Sequence, residues 1–277
     1  MSPLIDSTLV MIFDTETTGV DVVTDRVVQI GAVYWKGGQR CARPREININ
    51  PGVPIPIGAS QVHNIFDDDV KDCPSFSDIA DRFWQHVEQG FEGTRPVLCG
   101  YNAISYDVRI MNAEFERHGF AHRIDKESVL DPFCFVAWYH RDWRVRKLEA
   151  VAARYGYDLT DAHSATADAE ATGAVLSGML QAGLIPAQLD EALAKQAEIR
   201  SVLASEDKRF RYHLYGDREN PEILRMGFGK HVGLLLSDIA PGYLNFCVGK
   251  MGDKMTDETK QRLTEQAERG GRPRSLF

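Results

Sequence analysis

The feature that most constrains this chain is an apolar run that ends in acid. Leu9-Val10-Met11-Ile12-Phe13 stops at Asp14-Thr15-Glu16, with Thr17-Thr18-Gly19 following. A short apolar run of this kind reads as a buried strand. On an extended strand, side chains at i and i+2 share a face, so Asp14 and Glu16 point the same way. Two carboxylates held side by side repel unless a cation sits between them, and hard oxygen donors select Mg²⁺ or Mn²⁺. The plainer reading of Asp-x-Glu alone is a strand end with solvated acids.

The pattern downstream predicts an α/β chain with a mixed sheet. Val27 to Trp35 reads as a second strand, Lys36-Gly37-Gly38-Gln39 as a turn, and Glu46-Ile47-Asn48-Ile49 as a third strand returning antiparallel. Pro51 to Pro56 reads as an extended loop. Ser75 to Val87 has helical spacing, and Ser75 with Asp78 forms a capping-box pattern with Asp in place of Glu. Val97-Leu98-Cys99-Gly100 and Ser128-Val129-Leu130-Asp131 read as short strands. Val108–Arg117, Lys147–Tyr155 and Ser164–Gln181 read as helices, with Pro132 in the first turn of another. A linker is expected near Ala182-Gly183-Leu184-Ile185-Pro186, followed by a polar helix from Ala187 to about Ser205. The remainder reads as short and Gly-rich, with a flexible tail over Arg269-Gly270-Gly271-Arg272-Pro273-Arg274.

Composition narrows the function classes. A 43% apolar fraction in 277 residues supports an ordinary globular core. No apolar run reaches the roughly 18–20 residues of a membrane span. The opening residues lack the basic-then-apolar pattern of a secretory signal, so the expectation is a cytoplasmic protein with no membrane partner. The five cysteines are scattered without a Cys-x-x-Cys pair, which gives no support to a disulfide framework or a structural zinc site. A net charge of −8 argues against a non-specific nucleic-acid coat protein. It leaves room for an enzyme whose clustered carboxylates hold divalent ions.

Two further elements join the first. Asp107 follows Gly100-Tyr101-Asn102-Ala103-Ile104-Ser105-Tyr106, between a strand and a helix. Open α/β sheets place ligand sites at such junctions. Taken alone, Asp107 reads as an N-cap. His163 then precedes a helix, and Asp168 lies a turn inside it, among the small residues Ala165, Ala167 and Ala169. A lone His there reads equally as a surface or capping residue.

Together, Phe-Asp-Thr-Glu-Thr-Thr-Gly at 13–19, Asp107, and His-x-Ala-x-x-Asp at 163–168 resemble the three motifs of the DEDDh (DnaQ-like) 3′→5′ exonucleases, over roughly Leu9 to Leu180. The proofreading subunit of bacterial DNA polymerase III and exonuclease X are members of that group. The resemblance implies an RNase H-like fold with a central mixed five-stranded sheet flanked by helices. It implies an exonuclease domain over 1–182, with a linker helix and a small helical or irregular accessory module over 183–277. Asp14, Glu16, Asp107 and Asp168 are the implied ligands of two Mg²⁺ ions, for which Mn²⁺ can substitute, with Asp14 bridging both. Two such ions, ~3.5–4 Å apart, clamp an in-line phosphoryl displacement. His163 is the implied general base, and an unperturbed imidazole, titrating near pH ~6.5, can accept the proton of a water at neutral pH. The implied product is a nucleoside 5′-monophosphate.

Substrate contacts are expected at Thr17 and Thr18, through their backbone, at His63 in Val62-His63-Asn64-Ile65, and at Asn102. Asn64 stands where relatives often carry Gly, and a packing loop is the alternative reading of that segment. His140 to Lys147, the most basic interval, reads either as a backbone-phosphate contact with Trp143 as a stacking surface, or as a solvated loop. Asp131 reads as structural and Asp161 as a loop residue. Phe228-Gly229-Lys230-His231-Val232-Gly233, followed by Tyr243-Leu244-Asn245-Phe246, resembles the small module of exonuclease X relatives, though Val232 and Leu234 replace basic or polar residues. The expected partner is single-stranded DNA or a frayed 3′ end. The alternatives are RNA 3′ trimming and a catalytically silent nucleic-acid-binding module. Oligomeric state, and a polymerase or repair partner, stay open.

Overall fold

The computed structural model describes residues 2–91, 93–159 and 164–270. The chain divides into two compact units, one of residues 1–135 and 146–197, the other of 136–145 and 198–277.

The first unit is built on a mixed sheet. β1 (Val10–Thr17) pairs antiparallel with β2 (Val27–Lys36), and β2 pairs antiparallel with both β3 (Gln39–Arg40) and β4 (Arg45–Asn48). Six strands are therefore present, but β3 and β4 share one edge, so the sheet is five positions wide. β1 runs through the acids to Thr17, because its partner β2 is long enough to pair that far.

The loop expected over Pro51–Pro56 is present, and two helices that the sequence reading did not assign follow it. These are α1 (Ile57–His63) and α2 (Asp67–Val70), and each is only one or two turns long. Asn64 stops α1 in the left-handed conformation, at φ 56°. Gly would reach this conformation without strain, and Asn is among the side-chain residues that tolerate it best. α3 (Phe76–Gln89) begins at the expected capping box, with Asp78 accepting from the Ser75 backbone at 2.8 Å. β5 (Val97–Cys99) then lies parallel to β1.

The next helix, α4 (Asp107–Arg117), starts at Asp107. β6 (Val129–Leu130) lies parallel to β5 and leads into α5 (Pro132–Tyr139). α6 (Leu148–Arg154) gives way to Gly156 at φ 79°, as expected of a helix stop. α7 (Ala165–Gln181) and α8 (Leu189–Phe210) follow, the latter running past its expected end at Ser205.

The faces of the sheet alternate as the pleat requires. Met11 and Phe13 of β1, with Ile30, Ala32 and Tyr34 of β2, join Ile79, Phe83 and Phe115 of α3 and α4 in one core. Gly31 and Trp35 of β2 face α7. A Cβ on Gly173 would lie 2.6 Å from the Trp35 ring, and Trp35 Nε1 donates to Ser177 Oγ at 2.9 Å.

The second unit is more regular than its glycine content suggested. β7 (Leu214–Gly216) and β8 (Leu224–Met226) form an antiparallel pair. α9 (Pro241–Met251) carries the Tyr-Leu-x-aromatic segment, and α10 (Asp257–Gly270) packs on it. Thr259, Leu263 and Ala267 form the buried stripe of α10. Arg269 and Gly270, expected in a flexible tail, close this helix, and the rest of that tail lies outside the described residues. Cys99, Cys134 and Cys247 are buried and unbridged. No described helix is long and apolar enough to cross a membrane.

Gly173→Ala forces a methyl group into the Trp35 ring. It is expected to destabilise the chain by about 1–3 kcal/mol. At about 2–4 °C per kcal/mol for a domain of this size, thermal denaturation followed by circular dichroism reads the loss. An unchanged melting temperature would contradict the tight α7–β2 packing.

Candidate metal and active site

The site is assembled where α7 meets the acidic end of β1. In the β1–β2 ladder Asp14 pairs with Gly31, so the two share a face. A Cβ built on Gly31 would lie 2.2 Å from the Ala165 carbonyl carbon and 2.3 Å from the Thr166 nitrogen. The first turn of α7 therefore rests directly on the strand backbone. That approach carries Asp168 to the acids of β1. Ligand oxygens of Asp14, Glu16 and Asp168 all lie within 4.8 Å of one another.

The sheet also caps the helix. Ser164 occupies the N-cap position of α7 but makes no side-chain cap bond. Instead Gln29 Oε1 accepts from the Ala165 N–H at 3.0 Å, and Gln29 Nε2 donates to Asn48 Oδ1 at 2.8 Å. Glu46 Oε2 accepts from Ser164 Oγ at 3.1 Å, Thr166 Oγ1 at 2.6 Å and the Thr166 N–H at 3.4 Å. Backbone donors that a helix start leaves orphaned are satisfied from β2 and β4. Sequence reasoning missed Gln29, Gly31 and Glu46. A signal for the first was present: Gln29 interrupts the apolar run Val27 to Val33, and a polar side chain buried in a strand must have a partner.

Asp107 is buried beside the cluster, held as an acceptor. Its Oδ1 takes the Thr15 N–H at 3.0 Å and Thr15 Oγ1 at 2.6 Å. Tyr106, not Asp107, is the N-cap of α4, so the capping reading fails. Asp131 is buried too, and accepts from the backbone N–H groups of Asn102 at 2.8 Å, Ile104 at 3.2 Å and Phe133 at 3.0 Å. It holds the loop that leads to Asp107, in keeping with its structural reading.

The electrostatics follow from burial and crowding. Glu16 is pushed up to about 8, by burial first and then by Asp168, Asp107 and Glu46. Asp14 is raised well above the usual carboxylate range by burial, then by Asp107, Asp168 and Glu16. Asp107 rises to about 6 through burial, against the hydrogen bonds from Thr15. Burial lifts Asp131 to about 7. Carboxylates that resist ionising together are a fitting donor set for a hard divalent cation, whose charge reverses that preference.

The remaining expected contacts fall as follows. His163 and Asp161 lie outside the described residues. Thr17 Oγ1 contacts Tyr106 Oη at 2.7 Å, and Tyr106 Oη in turn donates to the Gly19 carbonyl. The Thr18 N–H donates to the Arg26 carbonyl at 2.9 Å, and Thr18 Oγ1 to Asp25 at 2.9 Å. His63 is buried, with Nδ1 accepting from the Ile65 N–H at 3.1 Å. Asn102 sits at φ 60°, its N–H spent on Asp131. Within the basic interval Arg141 is buried, not solvated: it pairs with Glu206 at 2.6 Å and lies over Trp138. Trp143 stacks on His140 at 3.7 Å.

An RNase H-like sheet with converging carboxylates defines a nuclease-type hydrolase domain. A family model for exonucleases, RNase T, matches residues 11–176. The chain belongs to the RNase T exonuclease family, in the DnaQ-like group that the motifs indicated. Its curated relatives include the PolC-type DNA polymerase III of Lacticaseibacillus paracasei, 33% identical over 166 residues, and that of Streptococcus pneumoniae, 31% identical over 166 residues. Each match covers 60% of this chain, but the chain spans only 11% of those relatives' length. Similar solved folds include the E. coli exonuclease I–single-stranded DNA complex, with a TM-score of 0.55 and 15% identity over 97% of this chain and 68% of that one. Exonuclease I from Methylocaldum szegediense gives 0.55 and 16% over 95% and 69%.

Gly31→Ala is expected to lift the start of α7 and separate Asp168 from Asp14. Nuclease activity should fall by roughly 10²-fold, as sub-ångström to ångström misplacement of reacting groups does, and an undiminished rate would refute the backbone contact. A second expectation concerns pH. Raised carboxyl pKa values mean that the native state holds more protons than the unfolded chain, so their contribution is lost as pH climbs from about 4 to about 8. In EDTA, stability should therefore decline across that window. Added Mg²⁺ should raise the melting temperature more at about pH 8 than at about pH 5. An equal increment at both would count against metal binding by these acids.

Proposed function

We propose that this chain is a 3′→5′ exonuclease that releases nucleoside 5′-monophosphates from DNA, preferably single-stranded. The observation that carries the reading is the convergence of Asp14, Glu16 and Asp168 within 4.8 Å, with Asp107 buried alongside. Asp14, Glu16, Asp107 and Asp168 would hold two Mg²⁺ ions, with Mn²⁺ able to substitute. When bound, such a pair lowers the pKa of the attacking water and stabilises charge on the leaving 3′ oxygen. His163 accepts the proton of that water, as the His-x-Ala-x-x-Asp pattern implies. Thr15 keeps Asp107 oriented beside Asp14. The turn at Thr17–Gly19, with His63 and Asn102, borders the terminal nucleotide. Residues 1–182 form the catalytic domain and 183–277 an accessory module for substrate or a partner. DNA as substrate is supported by the DNA polymerase relatives and by the single-stranded DNA bound to E. coli exonuclease I.

The test uses matched 5′-labelled DNA and RNA oligomers with Mg²⁺, Mn²⁺ or EDTA. A 3′-shortening ladder on DNA is expected, dependent on metal. Asp14→Asn should abolish it while leaving the melting curve cooperative, and His163→Ala should slow it by roughly 10²–10⁴-fold. Faster shortening of RNA would move the substrate to that class. Full activity in the Asp14 variant would end the metal assignment.

A further inference from the structure

The sheet carries a cavity on the face that the carboxylate cluster does not use. Between the α3 side of β1 and β2, the β3–β4 segment and α3 lies a space of about 620 Å³. Pockets that hold small organic ligands run from about 300 to 1,000 Å³. The floor is apolar, formed by Met11, Ile30, Ala32, Ile47, Ile79 and Phe83. Its parity on β1 is that of Met11 and Phe13, opposite to Asp14.

The rim has the opposite character. Arg43 approaches from the chain leading into β4, Arg45 from the first position of that strand, and Arg82 from α3. All three are exposed, and among the described residues none of their side chains makes an ion pair or hydrogen bond. The one acid lining the cavity, Glu46, has its Oε2 committed to Ser164 and Thr166. Three cations against one carboxylate thus gather on one mouth in a chain of net charge −8. Their field reaches inward. His86, hydrogen-bonded to the Tyr34 hydroxyl at 3.0 Å, is held below its ordinary pKa by burial first and then by Arg45 and, more weakly, Arg82.

Like charges on one rim are relieved by an anion, and the guanidinium fork matches both phosphate and carboxylate heads. An anion without an apolar part would leave the floor wetted, whereas an apolar molecule without a charge would leave the rim unpaired. We propose that this cavity binds a small amphipathic anion, its apolar body on the Ile30–Ile47 floor and its phosphate or carboxylate head on the arginine rim. A nucleoside monophosphate and a medium-chain carboxylate share that chemistry.

The test titrates the full chain with the dye 8-anilinonaphthalene-1-sulfonate in EDTA, where the acids of the other face repel an anion. Saturable binding is expected, weakened about tenfold or more by Arg45→Ala combined with Arg82→Ala, since charge-assisted contacts are lost. Both positions are exposed, and an unaltered melting curve checks that the fold persists. Deoxyadenosine monophosphate and octanoate then compete with the dye, and the stronger competitor names the ligand class. Equal dye affinity in the double variant, or displacement by neither anion, overturns the proposal.

Discussion

The site depends on one close approach, the first turn of α7 lying on the backbone of β2 at Gly31. No side chain can intervene there, not even a methyl group. A helix start pressed onto a strand loses water from its orphaned N–H groups, and each would be costly if left unpaired. Gln29 and Glu46 remove that cost by accepting from the N–H groups of Ala165 and Thr166, and Glu46 also holds the Ser164 hydroxyl. The contact and its caps thus form one device, in which the glycine permits the approach and the polar side chains beside it make the approach stable. The positive end of the helix dipole then lies on the side of the acids, and Asp168 sits in its first turn.

What this device brings together is unfavourable without a cation. Glu16 and Asp107 are buried, Asp14 is crowded by three other carboxylates, and burial and mutual repulsion act in the same direction on each. A fold that pays this cost holds the acids at fixed spacing before any ion arrives. Preorganisation of that kind is what a metal site needs, because ligands that must be gathered on binding weaken the ion's hold. The hydrogen bonds from Thr15 to Asp107 oppose the trend, favouring the charged form of one member of the group.

Much of this was legible in the sequence, for identifiable reasons. The period-two spacing of Asp14 and Glu16 on an apolar strand placed both on one face, and the capping box at Ser75 fixed the start of α3. The short helices α1 and α2 escaped because one or two turns carry too few residues for a helical period to emerge. α10 escaped because its stripe of Thr259, Leu263 and Ala267 is thinly apolar, and its polar majority resembles a solvated tail. Gly31 escaped because a glycine inside a strand signals close approach without naming the partner. Its partner, Ala165, is remote in sequence and adjacent only in the fold.

Asp107 and Asp131 show what separates two acids that look alike in sequence. Each follows a short parallel strand, and each is buried. Asp131 accepts three backbone N–H groups, which ties it to the loop 102–104, while its own N–H donates to Gln196 Oε1 at 2.7 Å. Gln196 also donates to the Val129 carbonyl at 2.9 Å, fixing the edge strand. Asp107 accepts from the N–H and the hydroxyl of Thr15, the residue between the two acids of β1. One carboxylate is therefore spent on backbone geometry, and the other faces the cluster with oxygen lone pairs to offer. A continuous set of hydrogen bonds runs from Gln196 through Asp131 and its loop to the start of α4. Contiguity of this kind fixes positions and is not evidence of coupling between distant sites. Its work is done if Asp107 stays beside Asp14, which requires a rigid loop, and a rigid loop requires that its buried N–H groups be satisfied, as Asp131 does for Asn102 and Ile104.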